Sequence, residues 1–358
     1  MPLRSSEAAA IADVLFQSVE ALANAGRKLN DEARHRFAAR LKNIETPSVR
    51  VFPLSLEPDP IHPSSYYLAV DGLSHGRVAP LLLRFGLASS PASGLFPKSV
   101  LIGRMRPAGG REVVVNAVPF GPPFGPTDAD PIRTFNEKVT KAFQPRPQGA
   151  QPALIVSGDD FTVTAPLAFE AFRRILRDTN QNRAALSADF ATADAAYLTV
   201  LWAAVRAGWR EGYSLGVTGI PANASSYPAL ERLNGFTRYS VHADHLEGAS
   251  AIYDHLRRVK QGDVPGQTRG FDFELDFRHV PLTAESLEGT LQAWRTAGRA
   301  VHSIIPPAGA DLESFATLLR SHNAVLTLVG PVSLRSFGRG HRWLHNPTFD
   351  ALVDLGRD

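Results

Sequence analysis

The sequence has 358 residues, 44% of them hydrophobic and 20% charged, which predicts an ordinary globular protein of one large or two smaller domains and excludes collagen-like, coiled-coil and disordered classes. Lys and Arg outnumber Asp and Glu by 38 to 35 with no basic block, so nucleic acid is not expected as the main partner. Cysteine is absent from the sequence, so disulfides and thiolate ligands are excluded and only His, Asp or Glu side chains remain to hold a metal.

The beginning of the chain lacks the charged-then-apolar pattern of a secretory signal peptide. The longest apolar run covers residues 195–205 and ends at Arg206, well short of the length needed to span a membrane. We therefore expect a cytoplasmic protein that does not act at a membrane.

The first third of the chain is predicted to form a helix followed by a small β-rich region. Apolar residues recur at helical spacing between the capping residues Ser5 or Ser6 and the terminating Gly26. Short β-rich runs separated by Gly, Pro and Ser clusters then cover residues 66–70, 81–85 and 99–103. We expect an amino-terminal domain over residues 1–110 and a barrel domain over residues 111–358.

From residue 113 onward, strands alternate with helices at the spacing of repeated βα units, which builds a parallel sheet. The predicted strands cover residues 113–118, 153–156, 213–217, 236–241, 271–277, 301–305 and 324–329. The sheet is either closed into a (β/α)8 TIM-type barrel or open and doubly wound. Glycine-rich dinucleotide and phosphate-loop motifs are absent from the sequence, so no nucleotide cofactor is expected and the barrel is favoured. The eighth strand falls on a weak segment near Trp343, so an irregular or incomplete barrel is an alternative.

The reactive residues of such a barrel lie at the carboxyl ends of its strands. The strand at 236–241 runs directly into His242, Asp244 and His245. Two imidazoles and a carboxylate within four residues can act as metal ligands or general bases. The competing interpretation is a polar loop in which Asp244 caps the following helix.

A second group of polar residues lies on the strand at 271–277. Asp272, Glu274 and Asp276 alternate with apolar residues, which places three carboxylates on one face. On the inner side of a barrel they require cations, a metal or substrate hydroxyls as partners, and Arg278 and His279 follow directly. The competing interpretation is an edge-like strand whose acids face solvent.

Near the end of the chain, Arg335 belongs to a basic segment that includes Arg339, His341 and Arg342. Guanidinium groups bind carboxylates and phosphates with two parallel hydrogen bonds. This segment is interpreted either as a substrate-binding element or as solvated surface. Zincin, hydrolase-elbow and lactamase motifs are absent from the sequence.

Five segments in the second half of the chain resemble, in the same order, segments of a known protein family. They are Leu201–Tyr213, Asn234–Val241, Phe273–Asp276, Leu326–Pro331 and His345–Leu352. Together they resemble the tagaturonate/fructuronate epimerase family. The resemblance implies a (β/α)8 barrel that epimerises sugar acids with the help of a divalent metal.

The family places its metal and acid/base residues in Ala-Asp-Ala-Asp-His, Asp-Glu-Thr and His-Ser-Gly runs, and of these only Asp276 has a counterpart in this sequence. A metal bound here, Zn²⁺, Mn²⁺ or Ni²⁺, would therefore need a rebuilt ligand set. We expect His245 and Glu274 to contribute to it.

Two hypotheses follow from these patterns. The first is a sugar or sugar-acid epimerase or isomerase in which His242, Asp244, Asp276 and His279 move a proton next to a carbonyl, with Arg278 and Arg335 binding the substrate. The alternative is a non-catalytic member of the same family that binds a carbohydrate or regulates an active partner. In both, the expected ligand is a small sugar or sugar acid, and a homo-oligomer is left open.

Overall fold

A computed structural model describes the chain in a series of stretches. They are residues 3–24, 29–41, 49–62, 64–74, 77–89, 94–107, 110–120, 126–158, 161–178, 183–261, 270–330 and 342–345. The chain forms two compact units, Met1–Phe143 with Leu198–Arg210, and Gln144–Tyr197 with Glu211–Asp358. Among the described residues, no helix is both long enough and apolar enough to cross a membrane.

The first unit is built on a five-stranded antiparallel sheet with the strand order β1-β2-β3-β5-β4. Its strands are β1 (Val49–Pro58), β2 (Tyr66–Ser74), β3 (Arg77–Leu87), β4 (Val100–Met105) and β5 (Val113–Pro119), and its helices include α1 (Ser5–Asn24), α2 (Asp31–Leu41) and α3 (Pro126–Thr134). The apolar stripe of α1, with Ile11 and Leu15 fully buried, packs into the same core as Leu68 and Val70 of β2. The predicted small β-rich domain is therefore present.

The boundary of this unit differs from the predicted one. Val113–Pro119 pairs with β3 on one side and β4 on the other, with Val115 opposite both Phe85 and Gly103. This strand belongs to the antiparallel sheet and is not the first strand of the barrel. The first unit accordingly continues past residue 110, to Phe143.

The second unit is a closed barrel of eight parallel strands, so the predicted (β/α)8 fold is confirmed. Its strands are β6 (Ala153–Ser157), β7 (Ala184–Asp189), β8 (Tyr213–Ile220), β9 (Arg238–His242), β10 (Asp272–Asp276), β11 (Ser303–Ile305), β12 (Val325–Val329) and β13 (Arg342–His345). Each strand pairs with the next, and β13 pairs with β6 to close the ring. The weak segment near Trp343 is thus the eighth strand, and the barrel is complete.

Helices connect the successive strands from β6 to β12. They are α4 (Phe161–Asp178), α5 (Ala193–Ala207), α6 (Tyr227–Arg232), α7 (Leu246–Val259), α8 (Ala284–Thr296) and α9 (Leu312–Ser321). At the amino ends of some of these helices, side chains accept hydrogen bonds from free backbone N–H groups. Thr283 and Ser286 form a capping box on α8, and Asp311 caps α9. This arrangement brings the carboxyl ends of the strands together at one end of the barrel, which we call the mouth.

Candidate active site

The register of the strands identifies the side chains that face the barrel interior. Asp272, Glu274 and Asp276 of β10 pair with Arg238, Ser240 and His242 of β9, respectively, and paired residues of neighbouring strands point to the same side. The Nη2 of Arg342, on β13, lies 3.4 Å from Oδ2 of Asp272. Because β10 and β13 are three strands apart around the barrel, this contact forms on the inner side.

Glu274 is the centre of a polar network inside the barrel. Its Oε1 accepts a hydrogen bond from Nη1 of Arg238 at 3.1 Å, and its Oε2 accepts one from Oγ of Ser303 at 2.7 Å. The hydroxyl of Thr327 also donates to Oε2. Both carboxylate oxygens therefore have protein partners, as a fully buried charge requires.

A second buried ion pair joins Asp272 and Arg342, which are the first residues of strands β10 and β13. The carboxylate of Asp272 accepts hydrogen bonds from the backbone N–H groups of Gln148 and Gly149, each at 2.9 Å. Arg342 donates from Nη1 to Ser303 at 3.0 Å and from Nη2 to the carbonyl of Gly149. Ser303 therefore links the two ion pairs.

These contacts set the protonation of the network. Burial alone would raise the pKa of Glu274, but Arg238, Arg342 and the two hydroxyl donors hold it below its usual value. Burial lowers the pKa of Arg342, against the opposing effect of Asp272 and Glu274. Glu274 is thus a structural carboxylate, ionised and paired.

At the mouth, Asp189 and His242 converge on Gly219. Oδ2 of Asp189 lies 3.6 Å, and Nε2 of His242 3.8 Å, from the position that a Cβ on Gly219 would occupy. Gly219 has a φ of +75°, a conformation that other residues adopt only with strain, and it lies where the pairing of β8 with β9 shifts register. Such bulges commonly aim side chains near active sites. Asp189 is exposed and His242 half-buried, so both are accessible to a ligand.

Asp276 and Arg278 form an ion pair beside His242. Nε of Arg278 donates to both carboxylate oxygens at 3.0 and 3.1 Å, and Nη2 donates to Oδ2 at 2.6 Å. This pairing raises the pKa of Arg278. The carboxylate is buried whereas the arginine side chain is 35% exposed, so Asp276 orients a guanidinium that is still accessible from solvent.

The structure therefore brings His242, Asp276 and Arg278 together and places the other predicted residues elsewhere. Asp244 and His279 are solvent-exposed beyond the ends of their strands. The amino end of α7 is capped by the ring Nδ1 of His245, which accepts from the N–H of Gly248 at 2.9 Å, and not by Asp244. The predicted substrate-binding residue Arg335 lies outside the described residues.

The prediction that His245 and Glu274 contribute to one metal site is corrected by this geometry. His245 is exposed, with Nδ1 engaged in the helix cap, whereas Glu274 is fully buried and has both oxygens engaged. Within the described ranges, no three His, Asp or Glu side chains are grouped so that they could hold a metal ion. These residues do not fit the divalent metal that the family resemblance implies.

Sequence reasoning missed Asp189, because strand β7 was not predicted. It also missed Arg238 and Arg342 as partners of Glu274 and Asp272, although the three carboxylates of β10 were expected to need cations, a metal or substrate hydroxyls on the inner side of a barrel. The sequence did contain one signal for Arg238. It begins the run Arg238-Tyr239-Ser240-Val241, and a charged residue in an otherwise buried strand indicates a buried partner of opposite charge.

Comparison with known proteins supports the fold. Neither a protein-family model nor a curated protein sequence matches the chain. Among solved structures, the chain is similar to fructuronate-tagaturonate epimerase UxaE from Cohnella laeviribosi complexed with one glycerol, with a TM-score of 0.57 and 11% identity over 88% of this chain and 75% of that chain. The native crystal structure of the same enzyme gives a TM-score of 0.56 and 12% identity over 86% and 74% of the two chains. At this identity the likeness is one of fold alone.

Proposed function

We propose that the barrel is an epimerase or isomerase of a small sugar or sugar acid, and that it moves a proton at the carbon next to the carbonyl. The observation that carries the proposal is the convergence of the Asp189 carboxylate and the His242 imidazole over Gly219, at the end of the barrel where such enzymes hold their reactive residues. The similarity in fold to a fructuronate-tagaturonate epimerase is consistent with a barrel that acts on sugars.

Epimerisation requires one group that removes a proton and another that returns one from the opposite face. In the proposed reaction, Asp189 or His242 takes the C–H proton next to the carbonyl, and the bonding electrons pass onto the carbonyl oxygen to give an enediolate. The other group delivers a proton to the same carbon, or to the neighbouring carbon for isomerisation. Carboxylate and imidazole side chains are among the groups that enzymes position to transfer protons.

Arg278 is proposed to stabilise the negative oxygen that forms in this step. Its Nε and Nη2 are engaged by Asp276, and among the described contacts its Nη1 has no protein partner, so Nη1 is left to donate to the substrate. Asp276 is then a positioning residue that fixes the guanidinium before the substrate arrives, and preorganised donors of this kind lower barriers effectively. No step is assigned to a metal.

The proposal is tested by incubating the purified protein with neutral ketoses and with their sugar-acid counterparts, and following products by NMR. We expect an epimer or isomer to accumulate to equilibrium with one of these substrates, and Asp189→Asn to abolish its formation. Glu247→Gln is a matched control because Glu247 is exposed in the first turn of α7 and has no proposed role. Equal rates in the Asp189→Asn variant and the wild type would exclude the proposed site.

A non-catalytic carbohydrate-binding or regulatory role is the second candidate. The observation in its favour is that the described residues provide no group of three metal ligands, whereas the resemblance implies a metal. In this case sugar acids would raise the melting temperature by mass action while no product forms. The cytoplasmic location and a homo-oligomeric state remain predictions from the sequence.

A further inference from the structure

Asp189 and His242 each present an atom without a protein partner to the space next to Gly219. Oδ1 of Asp189 accepts a hydrogen bond from the backbone N–H of Ala191 at 2.9 Å, whereas Oδ2 has no hydrogen-bond partner among the described residues. The ring of His242 likewise makes no hydrogen bond within the part of the chain that the structure describes. One carboxylate oxygen and one imidazole nitrogen are therefore available to a ligand at the same place.

The two groups reach this space from opposite sides. Strand β8, which carries Gly219, lies between β7 and β9 in the barrel, and Asp189 ends β7 whereas His242 ends β9. Because Oδ2 and Nε2 lie 3.6 Å and 3.8 Å from one point, the Cβ position of Gly219, they are no further apart than the sum of these distances. This span accommodates one carbon atom at the roughly 3–3.5 Å that reacting atoms need on either side.

Gly219 keeps this space open because it has no side chain. Its φ of +75° does not by itself require glycine, since asparagine also adopts the left-handed conformation. A Cβ would make only ordinary contacts with Asp189 and His242, so packing within the protein does not require glycine either. A Cβ would, however, project about 1.5 Å from the backbone into the space between the two groups, and the residue is half-buried there.

We propose that Gly219 is a specificity-determining residue, and that the substrate chain lies against its Cα with the reacting carbon between Oδ2 of Asp189 and Nε2 of His242. This inference rests on the proposed function. It also selects one of the two reactions considered there. Because the two groups face a single carbon from opposite sides, the product is the epimer at that carbon and not the isomer in which the carbonyl has moved to the neighbouring carbon.

The reaction at this carbon breaks one C–H bond and forms another. One group takes the proton from one face, and the bonding electrons pass onto the carbonyl oxygen to give the enediolate. The other group, which starts protonated, delivers its proton to the opposite face of the same carbon as the carbonyl is restored. Exchange with water returns both groups to their starting states, so in D₂O each epimerisation places deuterium at the inverted carbon.

The test compares Gly219→Ala and Gly219→Asn with the wild type, using fructose and fructuronate as probes and following epimer formation by NMR. The added methyl group moves the substrate outward, and a misplacement of about 1 Å costs on the order of 100-fold in rate, so we expect kcat of Gly219→Ala to fall about 100-fold. Asparagine fills more of the space but suits the backbone better. Gly219→Asn should therefore melt at a higher temperature than Gly219→Ala and yet be no more active.

Gly298→Ala is the matched control for backbone strain. Gly298 follows helix α8, has a φ of +69° and would have nothing within 4 Å of an added Cβ. The substitution therefore introduces the same side chain in the same backbone conformation, but away from the proposed site. We expect Gly298→Ala and Gly219→Ala to lower the melting temperature by a similar few degrees, and only Gly219→Ala to lower kcat.

Wild-type activity in Gly219→Ala would overturn the inference, and so would an activity in Gly219→Asn that exceeds that of Gly219→Ala, because glycine would then serve the backbone alone. An isomer as the sole product would overturn it as well. In each of these cases, loss of turnover in Asp189→Asn would leave the proposed function intact. Turnover of neither probe by the wild-type protein would overturn both proposals.

Discussion

Replacing Gly216 by alanine tests whether the buried Arg238–Glu274 pair stabilises the barrel as the geometry indicates. A Cβ at this position would lie 2.6 Å from Nη2, 2.7 Å from Nε and 2.9 Å from Cζ of Arg238, which is closer than such atoms approach one another. The φ of Gly216 is not in the left-handed region, so alanine is acceptable to the backbone itself. The substitution therefore acts through the guanidinium, which has to move away from Glu274.

The loss of stability caused by Gly216→Ala can be estimated from the typical effects of two kinds of change. Inserting a methyl group into a packed interior costs about 1–3 kcal/mol, and complete separation of a buried ion pair costs about 3–5 kcal/mol. We expect Gly216→Ala to lower the free energy of unfolding within this range. Each kcal/mol corresponds to about 2–4 °C in melting temperature for a protein unit of this size.

The matched control is Gly289→Ala, the same chemical change in the middle of helix α8. A Cβ on Gly289 has nothing within 4 Å and the residue is exposed. Alanine is a better helix former than glycine by about 1 kcal/mol, so this variant should be as stable as the wild type or more stable. Chemical denaturation of the three proteins compares them directly. A Gly216→Ala protein as stable as the wild type would refute the assignment of Arg238 to a tightly packed ion pair.

Three further predictions concern Glu274, His242 and Asp276. Because the pKa of Glu274 is held below its unfolded value of about 4.3, its stabilisation is present above that value and is lost as the pH falls through the lower folded pKa. The free-energy difference between the wild type and Glu274→Gln, measured by denaturation, should be constant from about pH 7 to pH 5 and shrink below about pH 4.3; a difference that grows on acidification would contradict the pairing. His242→Gln, like Asp189→Asn, should reduce turnover at least 100-fold with a change in melting temperature of only a few degrees, and a large loss of stability would show a structural role. Asp276→Asn should lower kcat more than it raises KM because Arg278 is less well oriented, and an unchanged kcat would remove this pair from the mechanism.

The repeating βα pattern was predictable because most barrel strands carry β-branched or aromatic runs at regular spacing. Strand β7 was not predictable, since Ala184–Asp189 consists mostly of small residues and lacks β-branched and aromatic ones. It forms because β6 and β8 pair with it on both sides, a context that single-sequence propensity does not contain. Missing this strand also concealed Asp189.

Strand β5 was predicted as a strand but assigned to the wrong sheet. The run Val113–Pro119 has an unmistakable strand composition, but composition does not state which sheet a strand joins. Its partners β3 and β4 precede it in the chain and run antiparallel to it, so it completes the first unit.

The candidate site was predictable only in part. His242, Asp276 and Arg278 were identified because they lie at or just beyond the carboxyl ends of two recognisable strands. The function of Glu274 was not apparent, since its partners Arg238 and Thr327 come from other strands and no local pattern specifies which charges meet inside a barrel. Burial with full pairing makes Glu274 part of the scaffold that supports the mouth.

The most direct test of the central claim is proton exchange at the carbon next to the substrate carbonyl. The protein is incubated with fructuronate or fructose in D₂O, and deuterium incorporation is followed by NMR, with Asp189→Asn as the comparison. We predict incorporation by the wild-type protein well above the rate without protein, and its loss in the variant. No incorporation by the wild-type protein, under conditions where the same sugar raises its melting temperature, would contradict the proposed proton transfer.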